Sequence, residues 1–293
     1  MLSLTVLNEH MKKKTKILGV ITAVSASVVT GYSLVFDLPV SPTLSIIDGK
    51  KIEKHVFCYE NDSSQPIDHN GKINVLVWNI YKQNRDNWQQ ALQRYAANTQ
   101  LVLLQESSLT PDLENWISKE EKFAIQVDAF KAFKVPAGVL SLSSSSPVFA
   151  CAYTEKEPWI RLPKSGLFSL YKLSNGQTLA VVNLHAINFT YGTKEYHGQI
   201  KTLVSRLLDH SGPVLVGGDF NSWSAGRLKV LKSNLHHIGV EEATFNPDNR
   251  KQFINGLPLD HLFYRGLTLN QAESPVTTAS DHNPLIASFS LIN

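Results

Sequence analysis

Val214-Leu215-Val216-Gly217-Gly218-Asp219-Phe220-Asn221 is the stretch from which the rest of the chain is read. Three branched apolar residues after Pro213 have the length and composition of a fully buried strand. Gly217 and Gly218 are expected to end it, because glycine tolerates backbone angles that a side chain forbids. A carboxylate and a carboxamide then emerge two positions apart. If the chain stays extended, Asp219 and Asn221 project to the same side. Such a pair at the mouth of a buried sheet can fix a water or a phosphate oxygen. The plainer alternative is an Asx-turn, in which both side chains serve their own backbone.

Outward from this strand the pattern is regular from Gly71 onward. Residues 73–80 and 101–106 read as strands apolar on both faces, as in the middle of a covered sheet. Asp86 or Asn87 is placed to cap a helix that carries Trp88, Leu92 and Tyr95 at helical spacing. Thr110-Pro111 starts a second helix. Strands are expected at 123–130, 138–142, 148–153, 166–173 and 178–185, with Asn175-Gly176 a strong hairpin signal between the last two. A helix opening at Thr193 leads into the strand quoted first, and another spans 225–237 with Gly239 just past its end. Strands near 259–264, 267–272 and 285–291 finish the chain. Many strands with few helices predict an α/β domain of two sheets packed face to face with helices outside.

The composition is that of an ordinary globular protein, 43% hydrophobic and 18% charged, which excludes a disordered or fibrous chain. A net charge of +3 permits a phosphate-bearing substrate without requiring one. Cys58 and Cys151 lack metal-ligand spacing; they read as a surface thiol and a buried strand residue, with one disulfide left open. Near the amino terminus, Lys12-Lys13-Lys14 and Lys16 precede residues 17–36, an apolar run with no charged residue. That meets the length rule of about 20 residues for one membrane span. No small-x-small cleavage site precedes Asp37-Leu38-Pro39, so the run reads as a signal anchor before a cleaved signal peptide. The lysines would keep the amino terminus cytoplasmic and the domain outside; if 17–36 does not insert, the domain is cytoplasmic. Met11 is a second candidate start. The expected division is 1–36 basic flank and anchor, 37–71 linker with room for a short strand pair around 46–57, and 72–293 the main folded domain.

Polar residues sit where the buried strands stop. Asn79, Glu106 and His185 end three of them, Asp219 and Asn221 follow a fourth, and Asp260 and Asp281-His282 precede two more. A strand is a rigid mount, so side chains at its end are placed more accurately than those on loop tips. Oxygen ligands of this kind suit Mg²⁺ or Mn²⁺, and no thiolate set points to zinc. His69, His210, His236, His237 and His261 read as ordinary structural or surface histidines.

In order, Val77-Trp78-Asn79, Leu104-Gln105-Glu106, Gly138-Val139-Leu140-Ser141, Asn183-Leu184-His185, Gly218-Asp219-Phe220-Asn221, Leu259-Asp260 and Ser280-Asp281-His282 resemble the endonuclease/exonuclease/phosphatase superfamily. The wording Val77-Trp78-Asn79-Ile80-Tyr81-Lys82-Gln83 and His185-Ala186-Ile187-Asn188-Phe189 is similar to its bacterial YafD branch. The resemblance implies a deoxyribonuclease-like, four-layer sandwich and a divalent-metal-dependent phosphoesterase. It implies Glu106 as chief metal ligand, with Asn79 beside it and Asp281 as a second acidic position. Asp219 and Asn221 would orient the attacking water and hold a phosphate oxygen. His282 would contact the scissile phosphate and be oriented by Asp260. His185, absent from typical abasic-site endonucleases, tilts the expectation away from abasic-site repair.

Phosphodiester hydrolysis places negative charge on the phosphoryl oxygens and the leaving alkoxide, which a cation and two imidazoles can meet. The expected substrate is a phosphodiester, with nucleic acid among the candidates and a monomer as the acting unit. His185 is the candidate for helping the alkoxide leave. Substrate contacts are expected from loops such as Asn188-Phe189-Thr190-Tyr191, where an aromatic ring could stack on a base. The alternatives are a lipid or inositol-phosphate phosphoesterase, and a catalytically silent binding protein that kept the fold.

Overall fold

The structure is a computed structural model that describes residues 22, 27, 30–48, 51–55, 57–120 and 122–292. Most of the expected anchor, residues 17–29, therefore lies outside the described residues apart from Thr22 and Ser27; residues 30–35 are helical. Among the described residues no helix is long and apolar enough to cross a membrane. The chain then forms β1 (Phe36–Asp37), β2 (Leu44–Asp48), β3 (Lys51–His55), β4 (Cys58–Glu60) and β5 (Lys72–Asn79). Next come α1 (Trp88–Ala96), β6 (Leu101–Ser108), α2 (Pro111–Lys119), β7 (Phe123–Ala132) and β8 (Val135–Ser143). They are followed by β9 (Phe149–Lys156), β10 (Pro163–Lys172), β11 (Thr178–His185), α3 (Lys194–Leu207) and β12 (Val214–Asp219). Last are α4 (Ala225–His237), β13 (Glu241–Glu242), β14 (Asp260–Arg265), β15 (Leu267–Glu273) and β16 (Leu285–Leu291).

These strands make two mixed sheets, ordered β15-β16-β5-β6-β8-β7-β2-β3 with β1 also on β7, and β13-β14-β12-β11-β10-β9-β4. Each sheet holds one parallel pair, β5–β6 and β11–β12. Alternation explains why their sequences read as apolar on both faces. Val75, Val77, Leu101 and Leu103 pack between the sheets against Val181, Leu215 and Leu262. Leu76, Trp78, Val102 and Leu104 face outward under α1 and α2, while Val182, Val214 and Val216 face outward under α3 and α4. The result is the expected four layers, helix–sheet–sheet–helix.

Gly217 and Gly218 do not end β12 as expected; they lie inside it, paired with Asn183 and Leu184. Each is required by crowding. A Cβ on Gly217 would stand 2.8 Å from a methyl of Val77 in the opposite sheet, and one on Gly218 (φ 151°) would stand 1.9 Å from the Leu184 carbonyl oxygen. The segment expected as a linker is built into both sheets. β2 and β3 form the strand pair that extends the first sheet, and β4 adds an edge to the second. Cys58 is no spare thiol: it is disulfide-bonded to Cys151, its cross-strand neighbour on β9, across 93 residues of sequence. That follows from a register that sequence spacing does not reveal.

One polar cluster interrupts the apolar layer between the sheets. Fully buried Asn183 accepts from Gln105 Nε2 at 2.7 Å. Its own amide donates to the carbonyls of Leu104 (3.2 Å) and Leu140 (3.1 Å) in the opposite sheet. Asn183→Ala should remove this clamp and leave buried polar groups unpaired, at a cost on the order of 3 kcal/mol. Urea denaturation measures it; an unchanged midpoint would show that the clamp contributes nothing to stability.

Candidate active site

The carboxyl ends of the two parallel pairs meet at one end of the sandwich, where ligands bind in open α/β sheets. Strand register places three candidates in a row, since His185 is paired with Asp219 and Asp219 with Asp260. His282, from the connection before β16, completes the row: its Nδ1 lies 2.7 Å from Asp260 Oδ2. Asn79 reaches across from the first sheet and donates from Nδ2 to Asp219 Oδ2 at 2.9 Å. His185 Nε2 lies 3.5 Å from Asp219 Oδ2 and 3.8 Å from Glu106 Oε1. Seven of the expected residues are thus linked in one constellation: Asn79, Glu106, His185, Asp219, Asn221, Asp260 and His282. Asp281 stands at its edge, with Oδ2 3.9 Å from Lys251 Nζ.

Two local irregularities aim these groups. A bulge interrupts β6 between Leu104 and Ser107, and Glu106 sits in it at φ 50°. Left-handed backbone at a non-glycine residue is unfavourable, and a bulge is a common device for redirecting a side chain. Beyond β12 the chain does not stay extended. Asn221 has φ 47°, and its N–H donates to Asp219 Oδ1 at 2.9 Å, which is the Asx-turn. The Asn221 amide donates to Ala186 O at 2.9 Å. The turn and the site therefore coincide, and the two readings of this pair were not exclusive.

The two histidines are in opposite charge environments. Burial alone would lower His282, but the Asp260 carboxylate, with Asp219 and Asp281 nearby, raises it to about 9. Burial and the Lys164 ammonium pull His185 down to about 4, against Asp219 and Glu106. At neutral pH His282 is an imidazolium and His185 a neutral acceptor. Burial would raise Glu106, yet His185, Lys82 and Lys164 hold it down to about 2.

Lys164 is a site residue that the sequence reading missed. Its Nζ lies 2.8 Å from His185 Nε2 and 3.9 Å from Glu157 Oε1. Burial lowers its pKa, opposed by Glu106, Glu157 and Asp219. A lysine beginning a strand after Pro163 carries no signal that separates it from a solvated one. Glu157 and Arg227 were missed for the same reason. Fully buried Glu157 accepts from the N–H groups of Asn188 (2.9 Å) and Phe189 (3.1 Å). Arg227, also fully buried, donates to the carbonyls of Ile187, Asn188 and Asn221. Together they fix the loop beyond His185. His261 is structural as expected, bonded to Ser222 and Glu242.

The donor set fits a hard divalent cation. Buried Oδ1 atoms of Asp260 and Asp281 have no hydrogen-bond partner. The Glu106 carboxylate already draws a cation, the Lys82 ammonium. Ligand atoms of Asp219, Asp260 and His282 lie within 4.8 Å of one another. His282 Nδ1 is already engaged by Asp260 Oδ2 at 2.7 Å, so the trio can also act as an acid held by its carboxylates. Glu106, Asn79 and Asp281 add oxygen donors of the kind Mg²⁺ or Mn²⁺ takes, with Asp281 apart at the edge beside Lys251.

A fold of this kind with such a site defines a class, and the chain belongs to it: the endonuclease/exonuclease/phosphatase family pattern matches residues 76–282. A UPF0294 protein of Vibrio campbellii is 55% identical over 260 residues, covering 89% of this chain and 92% of that one. A Yersinia enterocolitica UPF0294 protein is 43% identical over 217 residues, covering 74% and 83%. Two solved structures share the fold. The endonuclease/exonuclease/phosphatase from Beutenbergia cavernae has TM-score 0.60 at 14% identity, covering 75% of this chain and 72% of that one. The human Nocturnin catalytic domain with bound sulfate has TM-score 0.59 at 14% identity, covering 76% and 95%.

The Asp260–His282 pair makes a titration test. In the metal-free protein, Asp260→Asn should bring His282 down from about 9 to 6.5 or below, followed by the imidazole proton signals against pH. Because the folded value is raised, its stabilising contribution is complete below about 6.5 and is lost as pH rises through about 9. An unchanged titration in the variant would remove Asp260 as the cause.

Proposed function

We propose that the chain is a divalent-metal-dependent phosphodiesterase that hydrolyses its substrate by water attack. The observation that carries this reading is the Asn79–Asp219–His185–Glu106 network joined to the Asp260–His282 pair at one end of the sandwich. Glu106, Asn79 and Asp281 would hold Mg²⁺ or Mn²⁺, and the ion would supply charge neutralisation at the phosphoryl group. Asp219 and Asn221 orient the attacking water and hold a phosphoryl oxygen. The His282 imidazolium donates to another phosphoryl oxygen and meets the charge that builds there. The leaving alkoxide needs a proton. The Lys164 ammonium is the protonated group at this corner: His185 Nε2 accepts its hydrogen bond at 2.8 Å and positions it, and Nζ gives its proton to the alkoxide. Among phosphodiesters, nucleic acid and lipid headgroups both suit this chemistry.

On this reading the domain works outside the cytoplasm, as a monomer. Support for the location comes from the uncharged run 17–36 behind Lys12, Lys13, Lys14 and Lys16, and from the Cys58–Cys151 disulfide. Disulfides persist in oxidising compartments and are rare in the cytosol.

EDTA should abolish hydrolysis, Mg²⁺ or Mn²⁺ should restore it, and Glu106→Gln should weaken both metal affinity and rate. Full turnover in EDTA would overturn the metal assignment. General acid assistance is worth about 10²–10⁴ in rate, and most with a poor leaving group. His185→Ala should therefore lose heavily on a natural phosphodiester but far less on a nitrophenyl ester, whereas His282→Ala should lose heavily on both. Equal losses for His185→Ala on the two esters would make His185 a phosphate ligand instead.

A further inference from the structure

The large apolar side chains left exposed are not spread evenly. Phe133 (75% exposed) is at the tip of the β7–β8 hairpin, and Trp159 (64%) with Ile160 is on the β9–β10 loop. Tyr191 (88%) and Phe189 are on the loop beyond His185, and Ile254 (96%) is on the loop before Asp260. Strand directions put all of these connections at one end of the sandwich, the end that carries the catalytic constellation. β8 begins there because it runs antiparallel to β6, and β10 begins there because it runs antiparallel to β11. Val40, Phe57, Leu208 and Ile292 are exposed outside this group. An apolar rim around a polar mouth is unusual for a surface that meets only water.

The same end receives the amino-terminal segment. The Phe133 N–H donates to Val35 O at 2.9 Å, and Phe36 pairs with Ala132 at the top of β7. Phe36 also packs edge-on to Phe130. From there β1 and β2 run away from the mouth, antiparallel to β7. The uncharged run 17–36 therefore joins the domain beside the hairpin tip on the catalytic side. Basic residues accompany the apolar tips in sequence: Lys134 follows Phe133, and Arg161 follows Trp159-Ile160; both are exposed. Tryptophan and tyrosine collect at membrane–water interfaces, and Lys or Arg beside them is attracted to anionic headgroups.

We infer that this rim is a bilayer-docking surface: the catalytic mouth faces the membrane that 17–36 enters, and anionic lipid is its partner. Phe133, Trp159 and Tyr191 would settle at headgroup depth, Lys134 and Arg161 would contact lipid phosphates, and the mouth would open at the level of headgroup phosphodiesters. The inference rests on the reading of 17–36 as an anchor, and it narrows the substrate of the proposed phosphodiesterase to one presented at a lipid surface.

Tryptophan quenching reports docking without any turnover, so failure of the catalytic reading leaves this test intact. The full chain is reconstituted in vesicles of brominated phosphatidylcholine with phosphatidylglycerol, and its emission is compared with that in unbrominated vesicles. Trp78, Trp88 and Trp116 are buried under or within the helices of the first sheet, and Trp223 at the mouth is half-buried with its Nε1 held by Asn188, so Trp159, 64% exposed, is the tryptophan most open to lipid. The wild type should be quenched, and Trp159→Phe should remove most of that quenching. Equal quenching in both, or none while the chain floats with the vesicles, would turn the mouth away from the bilayer and overturn the inference. A chain that does not float would overturn it together with the anchor. Trp159 quenched by a bound oligonucleotide but not by brominated lipid would give the rim to nucleic acid and overturn it as well.

Discussion

Asn183 ties the two sheets together directly beneath the site. A buried carboxamide is costly unless every polar atom is met, and here its donors and acceptor are all used across the inter-sheet layer. It lies two residues before His185 on β11 and is cross-strand partner to Gly217 on β12. Fixing Asn183 against Leu104 and Leu140 therefore fixes the height of β11 and β12 relative to β6. That distance decides whether Asn79 and Glu106, from one sheet, reach Asp219 and His185, from the other. Gly217 serves the same end by removing the side chain that would hold the sheets apart.

Given that spacing, the chemistry is set by which charges surround each histidine. His282 is enclosed by carboxylates and stays protonated; His185 shares its space with an ammonium and does not. Two identical side chains on neighbouring elements thus take different proton states, without any difference in burial to separate them. Lys164 is what makes the difference at His185. Glu157 in turn faces Lys164 and anchors the backbone of the loop that carries Phe189, so charge balance and loop shape are coupled at this corner.

The loops at this end are built differently from the strands that carry them. Below the mouth, the central strands are packed on both faces. Above it, Phe133, Trp159 and Tyr191 project largely uncovered among the described residues. A folding requirement does not account for aromatic residues there, because burying them elsewhere would have been favourable. Their positions make sense as contacts with something outside the chain.

How much of this was legible in the sequence follows from the range of the forces involved. Strand and helix positions are written in local apolar periodicity, so β5, β6, β11, β12 and the four helices could be read directly. The polar residues at strand ends could be read too, because a carboxylate or imidazole next to a buried run is a local pattern. Register is not local. The Cys58–Cys151 pairing, the strands inside 37–71, the continuation of β12 through Gly217 and Gly218, and the left-handed turn at Asn221 all depend on which strand lies alongside. Lys164, Glu157 and Arg227 look like ordinary surface residues until the fold encloses them. The proton states of His185 and His282 depend on charges that come from distant parts of the chain. The layers and most of the candidate side chains are thus written locally along the chain, whereas their pairing and charge are set by the fold, because electrostatics and cross-strand contact act through space.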